Sequence, residues 1–196
     1  MLILRGSAAV GDQEVGSGGM AYNDARTIYG AEAAGPDGCD FLMIRRAWAR
    51  NTVVATAEDI AKAEADGIVN SLDRVAGGLS ERGLHVFDPE SVTRAQDPAT
   101  GLTMRHLIPA DQAADRPPVA VVDVPAAKPV EWKNIEFGLL LFVLNGTVAV
   151  DGDEVPAGHM VQVDAGHSFT IRALPADGAQ VLSVRPVAAP VHSAAS

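Results

Sequence analysis

The chain contains one cysteine, Cys39. It can therefore form no internal disulfide, and a reducing cytoplasm is the expected setting. Long apolar runs are also missing. The longest uninterrupted one spans 139–144 (LLLFVL), far short of the roughly 20 residues a membrane helix needs. The start, MLILRGSAAVGDQ, lacks the apolar core of a signal peptide, which again leads to the expectation of a cytoplasmic protein. Basic residues are scarce. Fifteen Lys and Arg stand against 25 Asp and Glu, for a formal net charge of −10. Such a surface repels phosphate backbones and anionic lipid, so neither nucleic acid nor membrane is an expected partner. No glycine-rich loop is followed by a lysine that could cradle a phosphate. The GSGG at 16–19 lies between strand patterns and reads as a turn.

What is plentiful is turn chemistry. The 196 residues include 19 Gly and 12 Pro, and 47% are hydrophobic. That suits a turn-rich β protein with a sizeable core. The stretch 137–185 sets the pattern: short apolar runs broken at Gly146, Gly152, Pro156, Gly158, Gly166 and Gly178. Short strands joined by tight turns are expected, as in a small barrel or jelly roll. Asp151-Gly152 predicts a two-residue hairpin, because both positions tolerate positive φ.

The same pattern occurs at the start of the chain. Shifting 1–45 by 140 residues, so that Gly6 falls on Gly146, aligns it with 141–185 without a gap. Fifteen of the 45 positions are then identical, including Gly6, Gly18, Asp24, Asp37, Gly38 and Arg45. About three to four would be expected from unrelated segments of average composition. An ungapped repeat with matching glycines signals duplicated structure.

Between the copies, Thr56 predicts a helix N-cap, with Asp59 three residues on. Ile60, Ala61, Ala65, Ile68 and Leu72 share one helical face up to about Asp73. Gly67 weakens that helix. From Leu84 strand patterns return at 84–87, 102–108, 119–124 and 130–135, separated by prolines. The expected organisation is a partial β unit over 1–50, a linker with one helix over 51–83, a complete unit over 84–188 and a flexible tail over 189–196.

These residues resemble the cupin superfamily, small antiparallel β-barrels or jelly rolls. The resemblance covers 84–186 as one whole cupin, and 1–45 resembles the C-terminal half of another. Phe142-Val-Leu-Asn-Gly146 resembles the end of the family's first motif, and 158–173 its second. Pro36-Asp-Gly-Cys-Asp-Phe-Leu also resembles the end of cupins of the anti-sigma-factor ChrR type. The implied fold is a mostly β, cupin-type barrel with a second, partial cupin unit and one connecting helix. The half unit leaves a sheet edge to be covered, and a homodimer is expected to cover it.

Cupin enzymes hold a divalent metal with a His-x-His pair, a Glu and a later His, a set that suits Fe, Mn, Ni or Zn. Carried onto this chain, the His-x-His positions fall on Trp132 and Asn134 and the Glu position on Leu139. The late His position falls on Phe169, or on Tyr29 in the first copy. No metal and no cofactor is therefore expected. Trp132, Asn134, Leu139, Phe169, Tyr29 and His167, two residues before Phe169, are expected to line a pocket for a small apolar or aromatic ligand, in a binding or regulatory protein. A displaced metal site using His106, His167 and Glu136 is one alternative, with dioxygenase or isomerase activity. A structural oligomerisation domain is another. The five histidines otherwise read as surface or loop residues, Cys39 as a buried structural thiol, and Asp123 and Asp153 as turn or edge carboxylates. The family hosts many unrelated activities, so the resemblance speaks to fold before function.

Overall fold

The computed structural model describes residues 1–11, 13–24, 27–28, 32–44, 56–65, 69–70, 84–109, 116–133 and 135–185. The chain divides into two compact units, Met1–Val92 and Thr93–Ser196.

The second unit is an antiparallel sandwich of two sheets. Its strands are β8 (Ala95–Gln96), β9 (Thr103–Ile108), β10 (Val119–Val124), β11 (Val130–Trp132), β12 (Leu139–Asn145), β13 (Thr147–Val150), β14 (Asp153–Pro156), β15 (Met160–Val163), β16 (Phe169–Ala173) and β17 (Ala179–Val184). Six of them form one sheet in the order β15-β12-β17-β10-β9-β8, and four form the other in the order β11-β16-β13-β14. Both sheets supply one apolar core, with Val122, Leu141 and Val181 from the larger and Trp132, Val148 and Ile171 from the smaller. The strands show why. β16 reads Phe-Thr-Ile-Arg-Ala, with the first, third and fifth residues buried and the others exposed, the period of two that a half-buried strand requires. β10, Val-Ala-Val-Val-Asp-Val, is buried at every position but Asp123, as a central strand covered on both faces should be.

Chain direction changes at Gly146, where β12 leaves the larger sheet and β13 enters the smaller. Its φ is +74°, open to glycine and strained for other residues. A Cβ there would also meet the Ala179 Cβ at 2.9 Å. The expected hairpin joins β13 to β14, with φ +49° at Asp151 and +99° at Gly152.

The first unit holds β1 (Leu2–Val10), β2 (Gln13–Gly16), β3 (Met20–Asn23), β4 (Thr27–Ile28), β5 (Glu32–Leu42), α1 (Ala57–Ala65), β6 (Val69–Asn70) and β7 (Leu84–Phe87). Its main sheet runs β2-β1-β3-β7, with β5 also on β1, while β4 and β6 pair in parallel. Ile3, Ala8, Val10, Val15 and Ala21 form its small core, against which Cys39 packs half-buried.

The repeat is repeated in space. Ser7 pairs with Gly16 and Val10 with Gln13, as Thr147 pairs with Pro156 and Val150 with Asp153. The Gly18 N–H donates to the Ile3 carbonyl at 2.8 Å, as Gly158 does to Val143 at 2.9 Å. The copies part at the last pairing: Ala8 faces Ala34, whereas Val148 faces Ala173. There the first copy is one residue out of step.

Two boundaries differ from expectation. Leu84–Phe87 pairs with Met20–Asn23, so it belongs to the first unit, and the second begins at Thr93 rather than at residue 84. Cross-strand pairing decided this, and its partner lies about sixty residues away in the chain. The helix ends at Ala65 and Val69–Asn70 is a strand, so the helical face does not reach Asp73. Among the described residues no helix is long and apolar enough to cross a membrane.

Candidate functional site

The six expected pocket residues separate into three groups. Trp132, Leu139 and Phe169 come together. Antiparallel pairing of β11 with β16 sets Trp132 opposite Phe169. Their rings lie 5.2 Å apart at 68°, an edge-to-face contact that suits the ring quadrupoles. Leu139 opens β12 opposite Val163. Trp132 and Leu139 are each 1% exposed and Phe169 is 4% exposed, and all three belong to the core of the sandwich.

His167 does not join them. It precedes β16, lies in a loop and is exposed, with Nδ1 3.3 Å from the Ala165 carbonyl. The expectation that it lines the pocket is therefore corrected. Its backbone has the structural role: the His167 carbonyl accepts from the Ile135 N–H at 3.1 Å, and Gly166 N–H donates to the Ile135 carbonyl at 2.7 Å. Those bonds pin the turn that leads into β12. Asn134 and Tyr29 lie outside the described residues.

The residues at the family's metal positions do not suit a divalent ion. Leu139 and Phe169 carry no donor atom, and the indole nitrogen of Trp132 has its lone pair in the ring. The displaced alternative is not assembled either. His106, Glu136 and His167 are each exposed, and among the described residues no three His, Cys, Asp or Glu are gathered as ligands.

Two polar arrangements escaped sequence reading. The first is a ladder across one end of the larger sheet. Asn145 pairs with Gln180, Gln180 with Asp123, and Asp123 with Thr103. The Asn145 amide donates to Gln180 Oε1 at 2.9 Å, and the Gln180 amide to Asp123 Oδ1 at 2.8 Å. The buried Arg105 guanidinium lies 3.7 Å from Asp123 and that of Arg94 4.0 Å. Asp123 is thus the hub of a network rather than a turn carboxylate. Asn145, Gln180, Asp123, Thr103 and Arg94 line an open cleft of about 1190 Å³ between the turns at 125–127 and 175–178. The second arrangement is in the first unit. His85 Nε2 lies 3.0 Å from Asp24 Oδ2, with both side chains at least 95% buried. The ring is stacked between Tyr22 and Phe87 at 6.3 and 6.4 Å. His85 is therefore no surface residue. Its place on a strand with alternating apolar residues was the available signal, but its partner is distant in sequence.

No family model matches this chain, and no curated protein matches it. Among solved structures it is similar to the polyketide cyclase RemF from Streptomyces resistomycificus, at 20% identity over 53% of this chain and 80% of that one, with a TM-score of 0.44. The Cnp3 cupin domain of Schizosaccharomyces pombe is similar at 15% identity over 54% and 72%, with a TM-score of 0.42. The Rhodobacter sphaeroides structure of SigE with the anti-sigma ChrR is similar at 18% identity over 69% and 70%, with a TM-score of 0.41.

Proposed function

We propose that this chain is a cytoplasmic cupin-type protein whose second unit binds a small apolar or aromatic molecule without the family's metal. One observation carries the reading. The three described positions that correspond to metal ligands, Trp132, Leu139 and Phe169, form one buried apolar cluster. Each such side chain taken from water contributes about 1.5–3 kcal/mol, and an unpaired ion among them would be costly. The chemistry of that interior favours a ring or a short aliphatic chain.

Thermal-shift screening with small aromatic compounds is the test, alongside metal analysis of the purified protein. A ligand that prefers the folded state raises the melting temperature, by an amount that grows with the logarithm of its concentration over its Kd. The expected result is at least one aromatic stabiliser and no stoichiometric metal. About one Fe, Mn, Ni or Zn per chain, lost on His167→Ala, would replace this reading with the metal-dependent one.

We also propose that the chain forms a homodimer through its first unit. What supports this is a pair of exposed apolar side chains near the start of that sheet, Leu4 at 39% and Phe41 at 51% exposure. Light scattering that gives a monomer at every concentration would rule it out.

A further inference from the structure

Trp132 has an unanswered polar group. Its side chain is 1% exposed, and its Nε1–H meets no acceptor among the described residues. A buried indole N–H nearly always finds a partner. A phenylalanine would fill much of the same space without a donor to satisfy, so the interior is not explained by packing alone.

Strand register places two more polar side chains on the same inner face. Ala120 pairs with His106 on one side and Ser183 on the other, and Ser183 pairs with Leu141. Ala120 and Leu141 both belong to the core, so the row His106–Ala120–Ser183–Leu141 runs across the inner face of the larger sheet. Ser183 is buried at 5% exposure. His106 is exposed although it shares the face of Met104 and Ala120, which marks a rim where that face meets solvent. These groups gather at one end of the sandwich. The Ala173 N–H donates to the Pro125 carbonyl at 3.1 Å, fixing that end of β16 beside the cleft. Phe169, with Trp132 opposite, begins β16 at the other end, and Ala120 and Ser183 lie away from Pro125 too. Along β9, β10, β11, β12, β16 and β17, no position on the core face other than His106 bears an ionisable side chain.

We infer that this end of the sandwich takes a neutral aromatic molecule bearing an oxygen acceptor, a ketone, aldehyde, ester or ether, and that the Trp132 indole N–H donates to that oxygen. The inference rests on the small-molecule reading above and narrows its ligand class. The apolar cluster of Trp132, Leu139 and Phe169 suits a ring. The Trp132 N–H and the Ser183 hydroxyl are the buried donors on that face, and both suit an oxygen acceptor. A carboxylate or phosphate would bring a charge that no core-face cation neutralises.

The test uses acetophenone and α-methylstyrene, which share a shape but differ in having C=O or C=CH₂. Calorimetry on the full chain is expected to give acetophenone about tenfold tighter binding, the factor for one net hydrogen bond. In ¹⁵N spectra acetophenone should move the Trp132 indole N–H resonance, assigned with Trp48→Phe, while α-methylstyrene should leave it nearly in place. Trp132→Phe should make the two ligands equal. Equal affinities in the wild-type chain, an unmoved indole resonance, or a preference that survives Trp132→Phe would each overturn the inference while leaving an aromatic-binding interior in place. Binding of neither compound would overturn the inference, while the parent reading answers to the aromatic thermal-shift screen. Should Trp132→Phe fail to fold, the wild-type affinities and the indole resonance still decide the matter.

Discussion

Gly6 and Gly146 hold the same backbone conformation, φ +75° and +74°, at equivalent points of two copies 140 residues apart. At Gly6 a Cβ would fall on the Gly38 carbonyl oxygen, and at Gly146 on the Ala179 side chain. Each glycine lets two strands approach closely while the chain turns between them. The duplicated glycines thus mark where the fold cannot accept a side chain, which is why the repeat is readable over so much sequence change.

Gly146→Ala combines a left-handed φ with a steric clash. It should destabilise the second unit by about 2 kcal/mol or more. Gly152→Ala, at φ +99° but with nothing within 4 Å, meets the backbone strain without the clash and should cost about half as much. Urea denaturation of the two variants checks the order. Equal losses would show that the Ala179 contact is immaterial.

Asp151 is the counterpart of Gly11, and it takes φ +49° where the first copy has a glycine at +63°. Its Oδ1 accepts from the Thr170 N–H at 2.7 Å and from the Thr170 hydroxyl at 3.0 Å. Asp151→Ala loses both bonds and keeps the strained φ, for an expected cost of about 1–2 kcal/mol. Asp151→Gly relieves the strain and should recover part of that loss. Thermal melts of the two variants measure the difference.

Phe169→Ala removes the edge-to-face partner of Trp132 from the buried cluster. The expected loss is about 3–5 kcal/mol, with a red shift of tryptophan emission as water reaches the indole. Phe169→Leu should cost less than half of that. Denaturant titration followed by fluorescence reads both quantities. A small loss for the alanine variant would mean that this end of the sandwich collapses around the gap.

His85→Ala leaves the buried Asp24 carboxylate without its imidazole partner. Losing that buried hydrogen bond costs about 1–3 kcal/mol. Asp24→Asn keeps an acceptor for His85 and should cost about 1 kcal/mol. Hydrogen exchange along β3 and β7 would locate the effect, since His85 lies on β7 and Asp24 directly follows β3. Unchanged protection there in His85→Ala would mean that the His85–Asp24 contact does not hold the two strands together.

Particular residues show how far the sequence reaches. Asp151-Gly152 declared its hairpin, and Met160–Val163 forms a strand over the expected residues, because turn chemistry and period-two alternation are local properties. The helix signal at Thr56 was local as well, yet the helix stopped at Ala65. The family pattern alone links Trp132, Leu139 and Phe169 in the sequence, whereas the contact of Trp132 with Phe169 is a fact of strand pairing. His167 was misplaced because two residues of sequence separation fix a common face only inside a strand, and the strand begins at Phe169.

The sequence by itself determined the β character and the duplicated pattern of glycines, since each follows from residue type and short-range spacing. Only the tertiary structure decided that Leu84–Phe87 joins the first unit, that Asp24 holds His85, that Asn145, Gln180 and Asp123 form one ladder, and that the Trp132 N–H is buried without an acceptor among the described residues. Each of these depends on strands brought side by side from distant parts of the chain. Cross-strand hydrogen bonds and burial choose such partners, and spacing along the chain carries almost no record of that choice.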